Sequence, residues 1–229
     1  MDYNNNYLKT YWKYYLLLEN RLIKTSEYVE FDDVNNDTYS IEYLSLLQTI
    51  CSEIDVVGKA IALYFNKSFN VKKANIMQWG YVIQKNISDV TTQSTIFLKE
   101  KTITPWKNWN IEERKDKKNR TYFAYVSGCK TPDWWSAYNA VKHARTTILD
   151  GRINYHKANQ KNVVNALAAL YILNRLMMIK LDDNLYRKVD KSRLFILPYR
   201  NDDADIQLFV NQEGDPCVEY SDDMDLVKV

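Results

Sequence analysis

Residues 131–145 read TPDWWSAYNAVKHAR, and the interpretation of the fold starts from this stretch. Thr131, Pro132 and Asp133 are typical of a helix start, with a polar cap, a proline in the first turn and an acid close behind. At about 100° per residue, one stripe of the following helix is apolar and is the expected core face. That stripe consists of Ala137, Val141, Ala144 and Ile148, with Trp134 at its edge.

A second strip of the same helix combines an aromatic residue with hydrogen-bonding groups. Trp135, Asn139 and His143 follow one another at intervals of four residues, and His143 is one of the two histidines in the chain. This strip lies off the apolar stripe, so the pattern predicts that it faces solvent, a partner helix or a substrate.

The composition favours helices. The chain has 229 residues, of which 46% are hydrophobic, but only 5 glycines and 4 prolines. Long helices need few turn residues, whereas an all-β protein usually needs more of them. The length allows a sizeable core, and we expect one domain with an elaboration. The net charge of +2 neither requires nor excludes nucleic acid as a partner.

The cysteines and the apolar runs indicate the cellular location of the protein. Cys51, Cys129 and Cys217 are odd in number, far apart and outside any CxxC pair, which indicates reduced thiols in a cytoplasmic protein. No targeting segment is expected, and no stretch approaches the ~20 apolar residues that span a membrane. The common phosphate-loop, dinucleotide and zinc motifs are absent, so neither a cofactor nor a metal ion is predicted.

Four further segments have helical periodicity, which makes about five helices in all. They are residues 7–29, a segment that follows a cap at Thr38 or Ser40 and extends to Tyr64, residues 74–87 and residues 158–181. The last is apolar nearly all round, which is typical of the buried centre of a bundle. Met177 and Met178 are therefore interpreted as core residues.

The remaining segments predict a small accessory β element. Residues 95–98, 102–104 and 122–126 favour strands, while 107–120 form a basic, turn-like stretch; together they suggest an insertion at 90–130. Strands are also expected at 194–197, 206–210 and 217–220, with frayed residues from 221 onward. The predicted organisation is a helical bundle over 1–185 and a C-terminal tail over 186–229, whose strands pack on the insertion.

Three stretches carry a resemblance to a known family. Residues 55–61, DVVGKAI, have an acid, three residues and a lysine; residues 138–143, YNAVKH, have a polar residue followed by histidine four positions later; residues 165–171, NALAALY, are alanine-rich. In this order they resemble the HEPN superfamily of small prokaryotic helical bundles, especially members tied to abortive infection and other defence systems. The resemblance implies a mainly α, HEPN-like bundle.

The family resemblance also implies a set of site residues. In active members an arginine and a histidine, brought together across a dimer, cleave RNA without metal. His143 matches the histidine and Asn139 its polar companion, but Tyr138 occupies the arginine position and cannot supply a permanent cation. The implied catalytic residues are His143, Asn139 and Tyr138. The candidate nucleic-acid-binding residues are Lys142, Arg145 and Trp135.

Two functions follow from this degenerate motif. The first is a defence-associated, HEPN-like homodimer that binds RNA or cleaves it, with His143 as general acid or base. The alternative is a non-catalytic dimerisation or protein-interaction module, in which the same helix forms an interface with a partner protein. Asp55 and Lys59, four residues apart, are interpreted as a surface ion pair; the family arrangement would instead bring Glu53 or Asp55 to His143.

Overall fold

Helices dominate the structure, a computed structural model that describes residues 3–149, 151–182, 185, 189–197, 207–210 and 216–219. The helical segments are α1 (Tyr3–Tyr7), a π-helical turn (Leu8–Trp12), α2 (Lys13–Thr25), α3 (Ile41–Phe65), α4 (Ile76–Asn86), α5 (Asp133–His143) and α6 (Gln160–Leu181). Backbone angles stay helical at Tyr7 and Lys13, so α1, the π-turn and α2 form one continuous rod. The prediction of a mainly α chain with about five helices is confirmed.

Side-chain caps determine where several helices begin and end. Ser40 caps α3, since its hydroxyl accepts the Tyr43 N–H at 3.0 Å. Asn75 and Gln78 form a reciprocal capping box at the start of α4. The first rod ends at Thr25, four residues earlier than predicted at 29, because the hydroxyls of Thr25 and Ser26 bond back to carbonyls of the last turn at 2.6 and 2.7 Å.

The core lies around α6, which packs along α3 over the most extensive interface between helices. Met177 and Met178 are completely buried, as predicted. By length and composition α6 is apolar enough to cross a membrane, which the sequence prediction had not allowed for. However, 83% of its apolar window is buried inside the protein, as expected of the core helix of a soluble bundle.

The insertion forms two small antiparallel sheets. Strands β1 (Thr95–Phe97) and β2 (Lys101–Ile103) pair with each other, as do β3 (Ile111–Lys115) and β4 (Thr121–Tyr125). The prediction of a turn-like stretch over 107–120 is wrong for its centre, which is strand β3. The sequence did not predict this strand because it is highly charged; in the structure Glu112 and Arg114 form an ion pair on its surface.

The insertion is also part of the core rather than an accessory. Trp106 and Trp109, in the loop between β2 and β3, are both fully buried. The Trp106 ring lies 5.0 Å from the ring of Trp134 in α5, and its indole N–H donates to the Ala169 carbonyl of α6 at 3.2 Å. The loop thus ties the insertion to two helices of the bundle.

The chain divides into two compact units, residues 1–196 and 197–229. Strand β7 (Phe195–Ile196) belongs to the first unit and pairs with β1, as predicted for the first tail strand. Strands β8 (Gln207–Val210) and β9 (Pro216–Glu219) pair with each other in the second unit. Packing of these two strands on the insertion stays a prediction, and the expected fraying from residue 221 lies outside the described residues.

Helix α5 is shorter than its apolar periodicity predicted. It ends at His143, and the buried Asn154 side chain donates to the Ala144 carbonyl at 2.9 Å, which caps the end of the helix. The chain then turns back as a short hairpin of β5 (Ile148–Leu149) and β6 (Arg152–Ile153), followed by a 3-10 turn (Asn154–Lys157). Ile148 is 69% exposed, so its assignment to the core stripe was wrong.

Candidate functional site

A cluster of five tryptophans holds helix α5 in place. Its members, whose neighbouring rings have centroids between 4.3 and 6.4 Å apart, are Trp79, Trp106, Trp109, Trp134 and Trp135. The Trp134 indole N–H donates to the Pro105 carbonyl at 2.9 Å. All five rings are buried, and three of them, those of Trp79, Trp106 and Trp134, also donate indole hydrogen bonds, so the first turn of α5 is rigidly attached to the core.

Two glycines make room for this cluster. A Cβ atom on Gly58 of α3 would lie 2.7 Å from the Trp79 ring, and one on Gly80 of α4 would lie 2.5 Å from the Trp109 ring. Carbon atoms do not approach so closely without a shift of the structure. Glycine at these two positions therefore allows the indoles to pack directly on helix backbone.

Beside this cluster, α5 forms one wall of an open cleft of about 620 Å³, which we call the motif cleft. The other walls come from α3, the start of α4, and strand β4 with the loop that follows it. The lining residues are Ser52 and Asp55, Ala74 to Met77, Tyr125 and Thr131, and Trp135, Tyr138, Asn139 and Lys142. Four of the six site residues predicted from the sequence thus line one cavity.

Tyr138 and Lys142 act as a pair within the cleft. Tyr138 is buried and packs on Trp135 with ring centroids 5.2 Å apart. The Lys142 ammonium, one turn later, lies 5.2 Å from the centre of the Tyr138 ring, a cation–π arrangement. A positive charge is therefore present beside the Tyr138 ring, and it is supplied by Lys142.

Asn139 has a half-buried side chain that lines the same cleft. Its amide makes no hydrogen bond with any part of the chain that the structure describes. Asn75, by comparison, uses its carbonyl oxygen to cap α4, and Asn154 uses its amide to cap α5. Asn139 thus presents both a donor and an acceptor to the cleft.

His143 is exposed at the last residue of α5 and does not line the cleft. Within the described ranges, its imidazole has no hydrogen-bond or ion-pair partner. Arg145 lies beyond the helix end, where its guanidinium donates to the Val141 carbonyl at 3.3 Å. One chain therefore does not bring His143 or Arg145 together with the residues of the cleft.

The predicted strip of Trp135, Asn139 and His143 does not form one uniform surface. Trp135 is only 7% exposed, whereas Asn139 is half-buried and His143 is exposed. The cause is Trp79 of α4, whose ring meets that of Trp135 edge-on at 6.4 Å and covers the first turn of α5. The sequence of α5 alone does not reveal this neighbour.

Asp55 is the single acid among the residues that line the cleft. Its carboxylate pairs with Lys59 at 2.5 Å, as predicted, and also accepts the Trp79 indole N–H at 3.0 Å. Neither Asp55 nor Glu53 contacts His143 within the described part of the chain. Lys59 offsets the charge of Asp55, and Lys142 makes no ion pair with a described residue, so Lys142 is the unpaired charge among the residues that line the cleft.

Several residues that line the cleft were not predicted as site residues, although the sequence around Asn75 has a recognisable pattern. Asn75 and Gln78 have the spacing of a capping box, which could have located the start of α4. Tyr125 and Thr131, whose hydroxyls lie 2.8 Å apart, reach the cleft only through the folding of the insertion. Among the described residues, no group of three or more His, Cys, Asp or Glu side chains could hold a metal ion.

Comparison of the chain with protein-family models, with curated proteins and with solved structures finds no match.

Proposed function

We propose that this chain is a HEPN-like, defence-associated protein that binds RNA through the motif cleft. The observation that carries the proposal is the common location of Trp135, Tyr138, Asn139 and Lys142 in one open cavity, in which Lys142 has no ion-pair partner among the described residues. Ammonium groups bind phosphate, aromatic and amide groups bind bases, and single-stranded RNA offers both. The resemblance of the α5 motif to the HEPN signature supports the same reading.

Metal-free RNA cleavage is the chemistry that this proposal makes testable. In such a reaction the RNA 2′-hydroxyl loses its proton, its oxygen attacks phosphorus, and the 5′-oxygen leaves with a proton, which produces a cyclic phosphate. His143 is accessible and imidazole suits either proton transfer. The cation that stabilises the developing charge would be Lys142. Since His143 lies outside the cleft of its own chain, cleavage requires a second copy or a bound RNA that reaches both.

Binding is tested with labelled single-stranded RNA and fluorescence anisotropy at several salt concentrations. Lys142→Ala should weaken binding for all sequences and reduce the slope of log affinity against log salt by about 1, because one phosphate contact is lost. Lys85→Ala is a matched control, since Lys85 is also an exposed lysine in the last turn of an 11-residue helix. Wild-type affinity in Lys142→Ala would contradict the proposed role of the cleft.

Cleavage is tested in EDTA with single-stranded and structured RNA. Loss of a wild-type cleavage activity in His143→Ala, with the fold intact, would establish the enzyme. If the wild-type protein binds RNA but does not cleave it, the protein is an RNA-binding protein and not a ribonuclease. Tyr138→Arg restores the motif cation, but it also replaces a buried ring, so its folding must be checked by circular dichroism.

One observation favours the alternative, a non-catalytic interaction module. Ile148 and Leu149 are 69% and 56% exposed on the hairpin that follows α5. Exposed apolar side chains close to an exposed histidine suit a protein interface. In that case RNA should not bind at all, and His143→Ala should weaken self-association.

A further inference from the structure

The chemistry of the motif cleft indicates what part of an RNA it would hold. The volume of about 620 Å³ lies within the ~300–1,000 Å³ that is usual for small-molecule sites. A double helix cannot enter such a space, whereas one unpaired nucleotide can. The charge balance described above, with Asp55 paired to Lys59 and Lys142 unpaired, favours an anionic ligand over a cationic one.

The apolar side of the cleft suits an aromatic ligand. Trp135 and Tyr138 form this side on α5, and Ile76 and Met77 face the same space from α4. Tyr125 adds a half-buried ring whose hydroxyl is held by Thr131 at 2.8 Å. Since packing holds Trp135 and Tyr138, and a hydrogen bond holds Tyr125, these rings lose little conformational freedom when a flat ligand binds.

The free amide of Asn139 narrows the choice of base. An asparagine side chain can accept from the N6 amino group of adenine and donate to its N7 at the same time. Guanine presents two acceptors at the corresponding atoms, so the amide carbonyl would face an oxygen. Asn139 is half-buried and is not engaged by any described residue, so its pairing with a base requires no existing hydrogen bond to break.

From these groups we infer that the motif cleft binds an unpaired adenine nucleotide, with Asn139 on the base edge and Lys142 on the phosphate. This inference rests on the proposed function for its source of nucleotide, which is single-stranded RNA. The chemistry would be the same for a free adenine nucleotide, and the experiment separates the two sources.

The test is calorimetric titration of the full chain with AMP, GMP, CMP, UMP and ribose 5-phosphate. AMP should bind about tenfold more tightly than GMP and than ribose 5-phosphate, because only adenine satisfies both groups of the amide. Asn139→Ala should weaken AMP binding about tenfold. Asn139→Asp should weaken it as well, because a carboxylate cannot donate to adenine N7 and adds a negative charge to a site for an anionic nucleotide. Asn165→Ala, at a half-buried asparagine of α6 outside the cleft, should leave it unchanged. Thermal melts verify that each variant is folded.

The outcomes also distinguish this inference from the proposed function. Equal binding of AMP and ribose 5-phosphate, wild-type AMP affinity in Asn139→Ala, or no nucleotide binding at all would overturn the adenine site, while RNA binding measured by anisotropy would keep the proposed function. Conversely, AMP binding that short oligoadenylates cannot displace would support a free-nucleotide site and overturn RNA binding. Displacement of AMP by oligoadenylate, but not by oligouridylate, supports both.

Discussion

Glu53 of α3 is a residue whose protonation should change the stability of the fold. Its half-buried carboxyl has no ion pair within the described residues, and burial raises its pKa from 4.5 to about 7. The pKa of the Tyr11 phenol in the π-helical turn is also raised, mainly by burial of the phenol and in addition by the nearby Glu53 carboxylate. The folded state therefore binds this proton more tightly than the unfolded state does.

This shift predicts the direction of the pH dependence. The stabilisation is complete below the unfolded pKa near 4.5 and is lost as the pH rises through about 7. Glu53→Gln should therefore raise the free energy of unfolding at pH 8. The gain should be about 1 kcal/mol or less, because water screens a half-exposed group. The variant should also show a weaker dependence of the free energy of unfolding on pH between pH 5 and 8. Urea unfolding at several pH values measures this, with the exposed Glu27→Gln as control. An unchanged slope would contradict the assignment.

At the scale of elements, a buried carboxylate connects α2 to the segment that leads into β7. Glu19 is 1% exposed and accepts the backbone N–H groups of Arg193 and Leu194 at 3.0 and 3.2 Å, together with the hydroxyls of Tyr15 and Ser192. The Trp12 indole adds a bond to the Asp190 carbonyl at 2.9 Å. The start of the chain thus holds a segment that is more than 170 residues away in sequence.

Substitution of this carboxylate should release the segment while the helices stay folded. Glu19→Gln replaces one of the two carboxylate oxygens with an NH2 group, which cannot accept a hydrogen bond, so one of the two backbone N–H groups loses its acceptor. This loss should cost about 1–3 kcal/mol. Hydrogen exchange should then become faster at Arg193 and Leu194. Glu27→Gln, a similar change at an exposed residue, should have no such effect. Unchanged protection in Glu19→Gln would show that β7 is held by its strand pairing alone.

For the whole molecule, self-association is a prediction made for both candidate functions. The sequence predicts a homodimer with α5 at or near the interface. The exposed His143, Ile148 and Leu149 at the end of that helix are the residues that such an interface would cover. Light scattering at roughly tens of micromolar should detect a dimer.

A charge in this region should weaken the dimer about tenfold or more, since a lysine would be buried without a partner. Ile148→Lys makes this change, and Val34→Lys, at a residue that is 88% exposed in a different loop, is the control. A monomer in the wild type, or a dimer insensitive to Ile148→Lys, would contradict an interface at this end of α5.

The sequence by itself determined the mainly α class, the buried character of α6 and the approximate bounds of the helices. These features follow from local periodicity and capping groups, which act over a few residues. Strand β3 was missed because its exposed, charged side chains give it a composition that is typical of a loop. The end of α5 was missed because its cap, Asn154, comes from a turn beyond the helix.

Only the tertiary structure decided which side chains share the candidate site. Trp79 covers Trp135, and the insertion brings Tyr125 to the cleft; each contact joins α5 or its cavity to a neighbour that helical periodicity does not specify. The position of Lys142 over Tyr138, four residues earlier on the same helix, is instead a contact that helical periodicity allows. Periodicity identifies which residues share a face of one helix, but not which other element covers that face. For this reason the candidate site residues could be named from the sequence. The sequence could not show that four of them line the cleft while His143 is exposed outside it.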